Sequence, residues 1–269
     1  MRCGVKVYGA DFSGARDASR GIYYARGTLQ QETLVIDQIV PCDDRLDLMA
    51  AIHFSEAPWG LDFPFSITQE ALELLNLKGW AELVEAAAGY KRSDFDSLIS
   101  AGGIPSCEVR CPGPSVCCRA VDAGIKAFSP LKRTNPNMRM MTYTGLKLLC
   151  YLRRLGSAVY PFDRLDKNAS RLYEVYPSHT WLRLGLPRQS FLGPFVERFQ
   201  SKYGMKVEIA DHLLQADSID AADAVVACST LAYGLNHYVL ETDWSYKHAW
   251  ISDSEWQRRH QEGLVLKVN

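Results

Sequence analysis

Acidic residues close the apolar segments of this sequence, and that placement restricts what the chain can fold into. Asp11 ends the β-rich run Val5–Ala10, and Asp62 follows Trp59–Leu61 just ahead of Phe63-Pro64. Glu174 stands inside Leu172–Val175, and Asp220 and Asp223 lie three apart in the apolar stretch Ile219–Leu231. An ionised carboxylate beside a core is costly unless a positive charge meets it there. A fold that buries these segments must therefore bring the acids to an open sheet end where a cation can sit among them. Hard divalent cations take oxygen ligands, so Mg²⁺ or Mn²⁺ is the expected cofactor. Two such ions about 4 Å apart would clamp an attacking and a leaving oxygen.

The order of the segments is βββαβ at the start. Val5–Ala10, GIYYARGTLQ and ETLVIDQIV read as a three-strand meander turning in the region Gly27–Gln31, because each run is β-rich and bounded by turn residues. RLDLMAAIHF reads as a short helix with Leu46, Met49, Ala50 and Phe54 on its apolar face, and APWGLDFPFS as a brief strand stopped by Pro64. From about residue 67 to 157 helices and loops replace this pattern, including TQEALELLNLKGWAELVEAAAG and the amphipathic MTYTGLKLLCYLRRL. SAVYPFD and RLYEVYPS return to strand, with Pro177 ending the second so that Glu174 projects from a sheet end. SHTWLRLGL and SFLGPFVERFQSKYG read as helices, the second stopped by Gly204. The last helix is capped at Asp217 or Ser218 and turns Asp220 and Asp223 toward one site.

A chain of 269 residues, 47% hydrophobic and 23% charged, can bury one sizeable core, so residues 1–269 are read as a single α/β domain with a helical insertion. No run reaches the roughly 18 apolar residues that span a bilayer, and the N-terminus lacks a secretory pattern, so a cytoplasmic protein with no membrane partner is expected. Eight cysteines without an export signal are expected as reduced thiols. Four of them, Cys107, Cys111, Cys117 and Cys118, fall in one loop. A structural metal is conceivable there, but the adjacent pair departs from the usual zinc knuckles, and the plainer reading is partly buried thiols in a tight loop.

Net charge is −1, yet residues 105–154 carry nine basic residues against Glu108 and Asp122. Positive charge next to an acidic site suits a polyanion, whose phosphates release counterions to Arg and Lys while its reacting phosphate meets the metal. Arg119, Lys132, Arg133 and Arg139 are the candidate substrate-binding residues, with KRTNPNMRMMT as the segment expected on a phosphate backbone. His179 and His212 could titrate near a site. Trp59, Phe63, Phe65, Tyr173, Tyr176 and Trp181 cluster at the sheet ends, where core packing accounts for them.

Taken together, GADFSGA, GLDFPFS, EVYPS and DAADAVVA resemble the ribonuclease H-like superfamily, with the last motif similar to that of RuvC-type resolvases. The set is more narrowly similar to an uncharacterised family of predicted nucleases with that fold, as are Arg119-x-x-Asp122 and the closing EGLVLKV. The resemblance implies a ribonuclease H-like domain with a mixed five-stranded central sheet, flanking helices and the insertion between its fourth and fifth strands. It implies Asp11, Asp62, Asp220 and Asp223 as metal ligands, with these and Glu174 as the catalytic set. The expected activity is metal-dependent phosphodiester hydrolysis on DNA or RNA. Two alternatives stay open: phosphoryl transfer on a small molecule or nucleotide, with DFSGA cradling phosphate through its backbone N–H groups, and a nucleic-acid-binding module without turnover.

Overall fold

The computed structural model describes residues 4–17, 21–238 and 252–268. The meander forms as β1 (Val5–Asp11), β2 (Tyr23–Gln30) and β3 (Thr33–Pro41), with Gln31 in the left-handed region (φ 54°) at the β2–β3 turn. Gly27 therefore lies within β2, and the turn falls at its far end. Helix α1 (Arg45–Ser55) leads into β4 (Pro58–Asp62), which pairs parallel to β1. Helices α2 (Gln69–Leu74), α3 (Trp80–Gly89), α4 (Arg92–Ala101), α5 (Ala120–Ile125) and α6 (Met138–Arg154) follow. Strands β5 (Ala158–Val159) and β6 (Arg171–Val175), helices α7 (Pro177–Leu184) and α8 (Gly193–Tyr203), and strand β7 (Lys206–Ile209) come next. The chain then forms α9 (Ile219–His237), α10 (Asp253–Glu262) and β8 (Val265–Leu266).

The sheet is mixed and has eight strands among the described residues, rather than the five expected. Its order is β5-β6-β4-β1-β2-β3-β7, with β8 also paired to β6. The additional strands are short edge pieces. Lys206–Ile209 alternates outward charge with inward Val207, too brief a signal to separate from the end of α8. The helix α1 turns the other way from expectation: Leu48 and Ile52 are fully buried, whereas Leu46 and Phe54 are 64% and 81% exposed. Both faces carry apolar residues four apart, so periodicity alone did not choose between them. The stretch expected as one helix after residue 67 breaks into α2 and α3 at Leu75–Gly79, where Asn76 takes φ 55°.

Two layers of helices cover the two faces of the sheet. Val7, Ala25, Leu34, Ile36, Tyr173 and Val175 pack against α7, α8 and α9. Ala10, Trp59, Leu61, Val159 and Leu172 pack against residues from α1, α3, α4 and α6. The segment 67–157 is therefore the second helical layer of the domain, built on the sheet by Leu83, Phe95, Leu146 and Leu149. Helix α9 lies nearly against bare backbone: a Cβ on Gly9 would come within 2.0 Å of the Cys228 amide nitrogen. Successive strand residues point to opposite faces, so Asp11, in step with Val7 and Gly9, and Asp62, in step with Gly60, are directed to the α9 face. Glu174, in step with Leu172, is directed to the other.

Candidate functional site

The site is built on the β1–β4 ladder. Asp11 and Asp62 are direct partners in its parallel register, so the two strands end together and deliver two carboxylates side by side. They stand close enough to share a hydrogen bond. Burial raises the Asp11 carboxyl well above the ordinary range, and repulsion from Asp62, Asp223 and Asp220 adds to it. Burial followed by repulsion from Asp223 does the same to Asp62. Like charges this close hold a proton unless a cation takes its place.

Helix α9 brings the third acid. Ser218 caps its first turn by accepting from the Ala221 amide at 3.0 Å, and Asp223 follows on the buried side, fully inaccessible. Its Oδ1 accepts a 2.6 Å hydrogen bond from the Trp181 indole, and its Oδ2 is paired with the Arg188 guanidinium. Burial raises this carboxyl, opposed by Arg188 and Trp181. Asp220 sits a turn earlier and partly exposed, its Oδ2 4.0 Å from where a Cβ on Gly21 would stand. The structure thus brings Asp11 and Asp62 to one cleft, with the buried Asp223 and the partly exposed Asp220 near enough to repel Asp11. Among the described residues no three acids bring one carboxylate oxygen each within 4.8 Å of one another, and Asp223 is turned onto Trp181 and Arg188.

Glu174 belongs to a different structure. It is 3% exposed, with Oε1 on Arg119 Nη2 at 2.5 Å and Oε2 accepting from Arg119 Nη1 and the Phe65 amide, each at 3.0 Å. Arg119, 1% exposed, gives its remaining donors to Asp122 (2.8 Å from Nε and from Nη2) and to the Glu262 carbonyl (2.9 Å). All five guanidinium N–H groups have protein acceptors, so none faces a substrate. The expected catalytic role of Glu174 and substrate-binding role of Arg119 give way to a closed ion-pair network that ties α5 and α10 to β6. Strand alternation is the physical reason Glu174 departs from the aspartates.

Lys132 and Arg139 are corrected likewise. Lys132, 3% exposed, donates to Thr134 Oγ1 at 2.7 Å and to the carbonyls of Thr134 and Asn135, closing the Pro/Asn loop on itself. Arg139, 2% exposed, pairs with Asp96 at 2.7 Å and holds the Leu131 carbonyl. Only Arg133 of the four points to solvent, 3.7 Å from Asp96. Other positive charges of residues 105–154 meet acids from outside the segment, Arg153 on Asp163 and Arg154 on Glu85. Counting along the chain could not show those partners.

A cleft of about 550 Å³ opens on the acids, lined by Phe12, Arg110, Phe128, Tyr176, Trp181 and Arg188 beside Asp11 and Asp62. His179 also lines it; burial lowers its imidazole to about 4, so the ring is neutral. His212 lies exposed in a short turn at Asp211–Leu213. Arg188 is the residue that sequence reading missed: it lies in a loop with no motif, and only the return of that loop over α9 places it. A second groove, of about 500 Å³, gathers Arg16, Lys91, Arg92 and Arg133. Met140 lines this groove while Met138 and Met141 line the acidic cleft, so the first turn of α6 is their common wall. The DFSGA turn is pinned rather than open: the Arg45 Nη2 group donates to Ser13 O at 2.7 Å, and a Cβ on Gly14 would meet the Met141 backbone at 2.5 Å.

No family model, curated protein or solved structure matches the chain. Among the described residues no helix is long and apolar enough to cross a membrane.

Proposed function

We propose that this chain is a metal-dependent phosphodiesterase of the nuclease class, with Asp11, Asp62 and Asp223 as its core and Asp220 at the rim, on a ribonuclease H-like scaffold. The observation that supports the reading is the register of Asp11 beside Asp62 in the lining of a cleft, with the buried Asp223 near enough to raise both. Side-by-side carboxylates raised by burial and by the acids around them are a seat for a hard cation, and an all-oxygen donor set suits Mg²⁺ or Mn²⁺. Asp11 and Asp62 would hold it, with Asp223 joining once freed from Arg188. The ion would supply a water of lowered pKa and charge for the leaving oxygen.

The chain's own residues account for the rest. The Trp181 indole fixes the Asp223 carboxylate, and Arg188, its side chain 44% exposed, can exchange that acid for a phosphate oxygen of the substrate. Phe12, Phe128 and Tyr176 give the cleft apolar walls that exclude water and on which a base can stack. The groove of Arg16, Lys91, Arg92 and Arg133 lies across the first turn of α6 and would carry the continuing phosphate backbone.

The test compares the parent with Asp62→Asn on a labelled single-stranded oligonucleotide, with and without Mn²⁺, alongside nucleoside triphosphate hydrolysis. Cleavage that requires Mn²⁺ and is lost in Asp62→Asn, with the melting temperature level or higher, is the expected result. Triphosphate hydrolysis without oligonucleotide cleavage would move the assignment to small-molecule phosphoryl transfer. Metal-independent binding without turnover would make the chain a binding module.

A further inference from the structure

Residues 102–119, between α4 and α5, form no helix or extended strand, yet they deliver Arg119 to the buried network described above. A loop that long inside a compact domain needs something to hold it. Four of its side chains are cysteines; three of them converge and the fourth, Cys117, touches one of the three. The sulfurs of Cys107, Cys111 and Cys118 lie within 4.8 Å of one another, and the Cys107 thiol is in hydrogen-bonding contact with that of Cys117. Cys111, Cys117 and Cys118 are buried and Cys107 is half-exposed, leaving an entry path.

Cys111 and Cys118 are joined as a disulfide with Cα atoms 5.6 Å apart, where free thiols were expected. A single bridge accounts for two of the four cysteines and leaves Cys107 and Cys117 as thiols in contact beside it. The backbone bends to collect all of them. Ser115 and Cys118 exchange backbone hydrogen bonds at 3.0 and 3.1 Å, folding the Pro-Gly-Pro segment back so that Cys118 returns over Cys111. Cys117 reaches the group through Cys107 rather than through its neighbour Cys118.

We propose that Cys107, Cys111, Cys117 and Cys118 form a structural zinc site in the reduced chain, distinct from the acidic cleft. Four thiolates and no hard ligand select zinc or an iron–sulfur centre over Mg²⁺. Zn–S bonds of about 2.3 Å place tetrahedral sulfurs about 3.8 Å apart, within the 4.8 Å that already encloses the sulfurs of Cys107, Cys111 and Cys118. Formation from the disulfide form balances as follows: a dithiol reductant gives two electrons and two protons to the Cys111–Cys118 bond and leaves as its own disulfide. Zn²⁺ then forms four bonds to sulfur, and the four thiol protons pass to solvent.

The experiment purifies the whole chain under a thiol reductant without chelator, measures zinc by mass spectrometry, and records the absorption spectrum after Co²⁺ exchange. Stoichiometric zinc, a thiolate-to-cobalt charge-transfer band with tetrahedral visible bands, and at least tenfold weaker zinc binding in Cys107→Ser than in the parent or Cys42→Ser support the site. The cobalt spectrum is read on the parent, so a variant that fails to fold does not blunt the test. A reduced parent that takes up neither zinc nor cobalt, a Cys107→Ser chain that binds zinc as the parent does, or an iron chromophore in place of zinc would each overturn the assignment. None of these readouts depends on phosphodiesterase activity.

Discussion

Replacing Arg119 with methionine separates the buried ion-pair network from the proposed catalytic one. The guanidinium supplies five hydrogen bonds, two to Asp122, two to Glu174 and one to the Glu262 carbonyl, all in a site with 1–4% side-chain exposure. Arg119→Met leaves two buried carboxylates without their cation, and breaking a buried pair from one side costs about 3–5 kcal/mol. A chain of this size loses roughly 2–4 °C per kcal/mol, so the melting temperature should drop by on the order of 10 °C. Urea denaturation of Arg119→Met, Glu174→Met and the double variant measures the coupling. The double variant should lie well above the sum of the singles, because the second change removes a charge that the first left stranded. Oligonucleotide cleavage per folded molecule should stay within a few-fold of the parent. A single variant within about 1 kcal/mol of the parent, or one that keeps its stability while losing turnover, would refute the reasoning and return Arg119 and Glu174 to the active site.

Three further expectations can be checked with the same protein. Arg188→Met removes the cation from Asp223, so stability without divalent ions should fall by about 1–2 kcal/mol while Mn²⁺ raises the melting temperature more than it does in the parent; an equal Mn²⁺ response in both would show that Arg188 and the ion do not compete. Arg92→Ala with Arg133→Ala should weaken oligonucleotide binding and reduce the log–log salt slope by roughly one unit per lost phosphate contact, whereas Lys132→Ala should leave the slope unchanged; binding titrations at several salt concentrations decide between them. His179 has its imidazole lowered by burial to about 4, so the unfolded chain binds a proton that the folded one refuses as pH falls from about 6.5 toward 4, and folding loses stability across that window. At pH 5 this amounts to about 1–2 kcal/mol after allowance for solvent screening, and His179→Gln should flatten the pH dependence of urea unfolding by that much; an unchanged profile would assign the acid sensitivity elsewhere.

What could be read from the residues divides along a physical line. Local signals held: the β1 strand closed by Asp11, the β4 strand closed by Asp62, the Ser218 cap, the Gly204 stop at φ 73°, and the long α6 all follow from period and capping. The convergence of Asp11, Asp62 and Asp223 was legible because each lies at an element end and the elements must pair. Glu174 was misplaced through neglect of strand parity, which the sequence does contain: Leu172 and Glu174 share a face, and Tyr173 and Val175 share the other. Lys132 and Arg139 misled for another reason. Their acceptors, Asn135 O and Asp96, depend on a loop closing on itself and on α4 meeting α6, and neither contact leaves a trace in composition. Arg188 lay beyond reach for the same cause.

The absent side chain at residue 9 sets a tolerance for the acidic cluster. Cys228, which rests on Gly9, stands five steps along α9 from Asp223, a rise of about 7.5 Å along one stiff rod. Any outward displacement of the rod at Cys228, such as an added methyl group would force, carries Asp223 away from Asp11 by a comparable distance. Catalytic geometry degrades over about 1 Å. Position 9 thus acts as a gauge block, calibrating the gap between two carboxylates that it never touches.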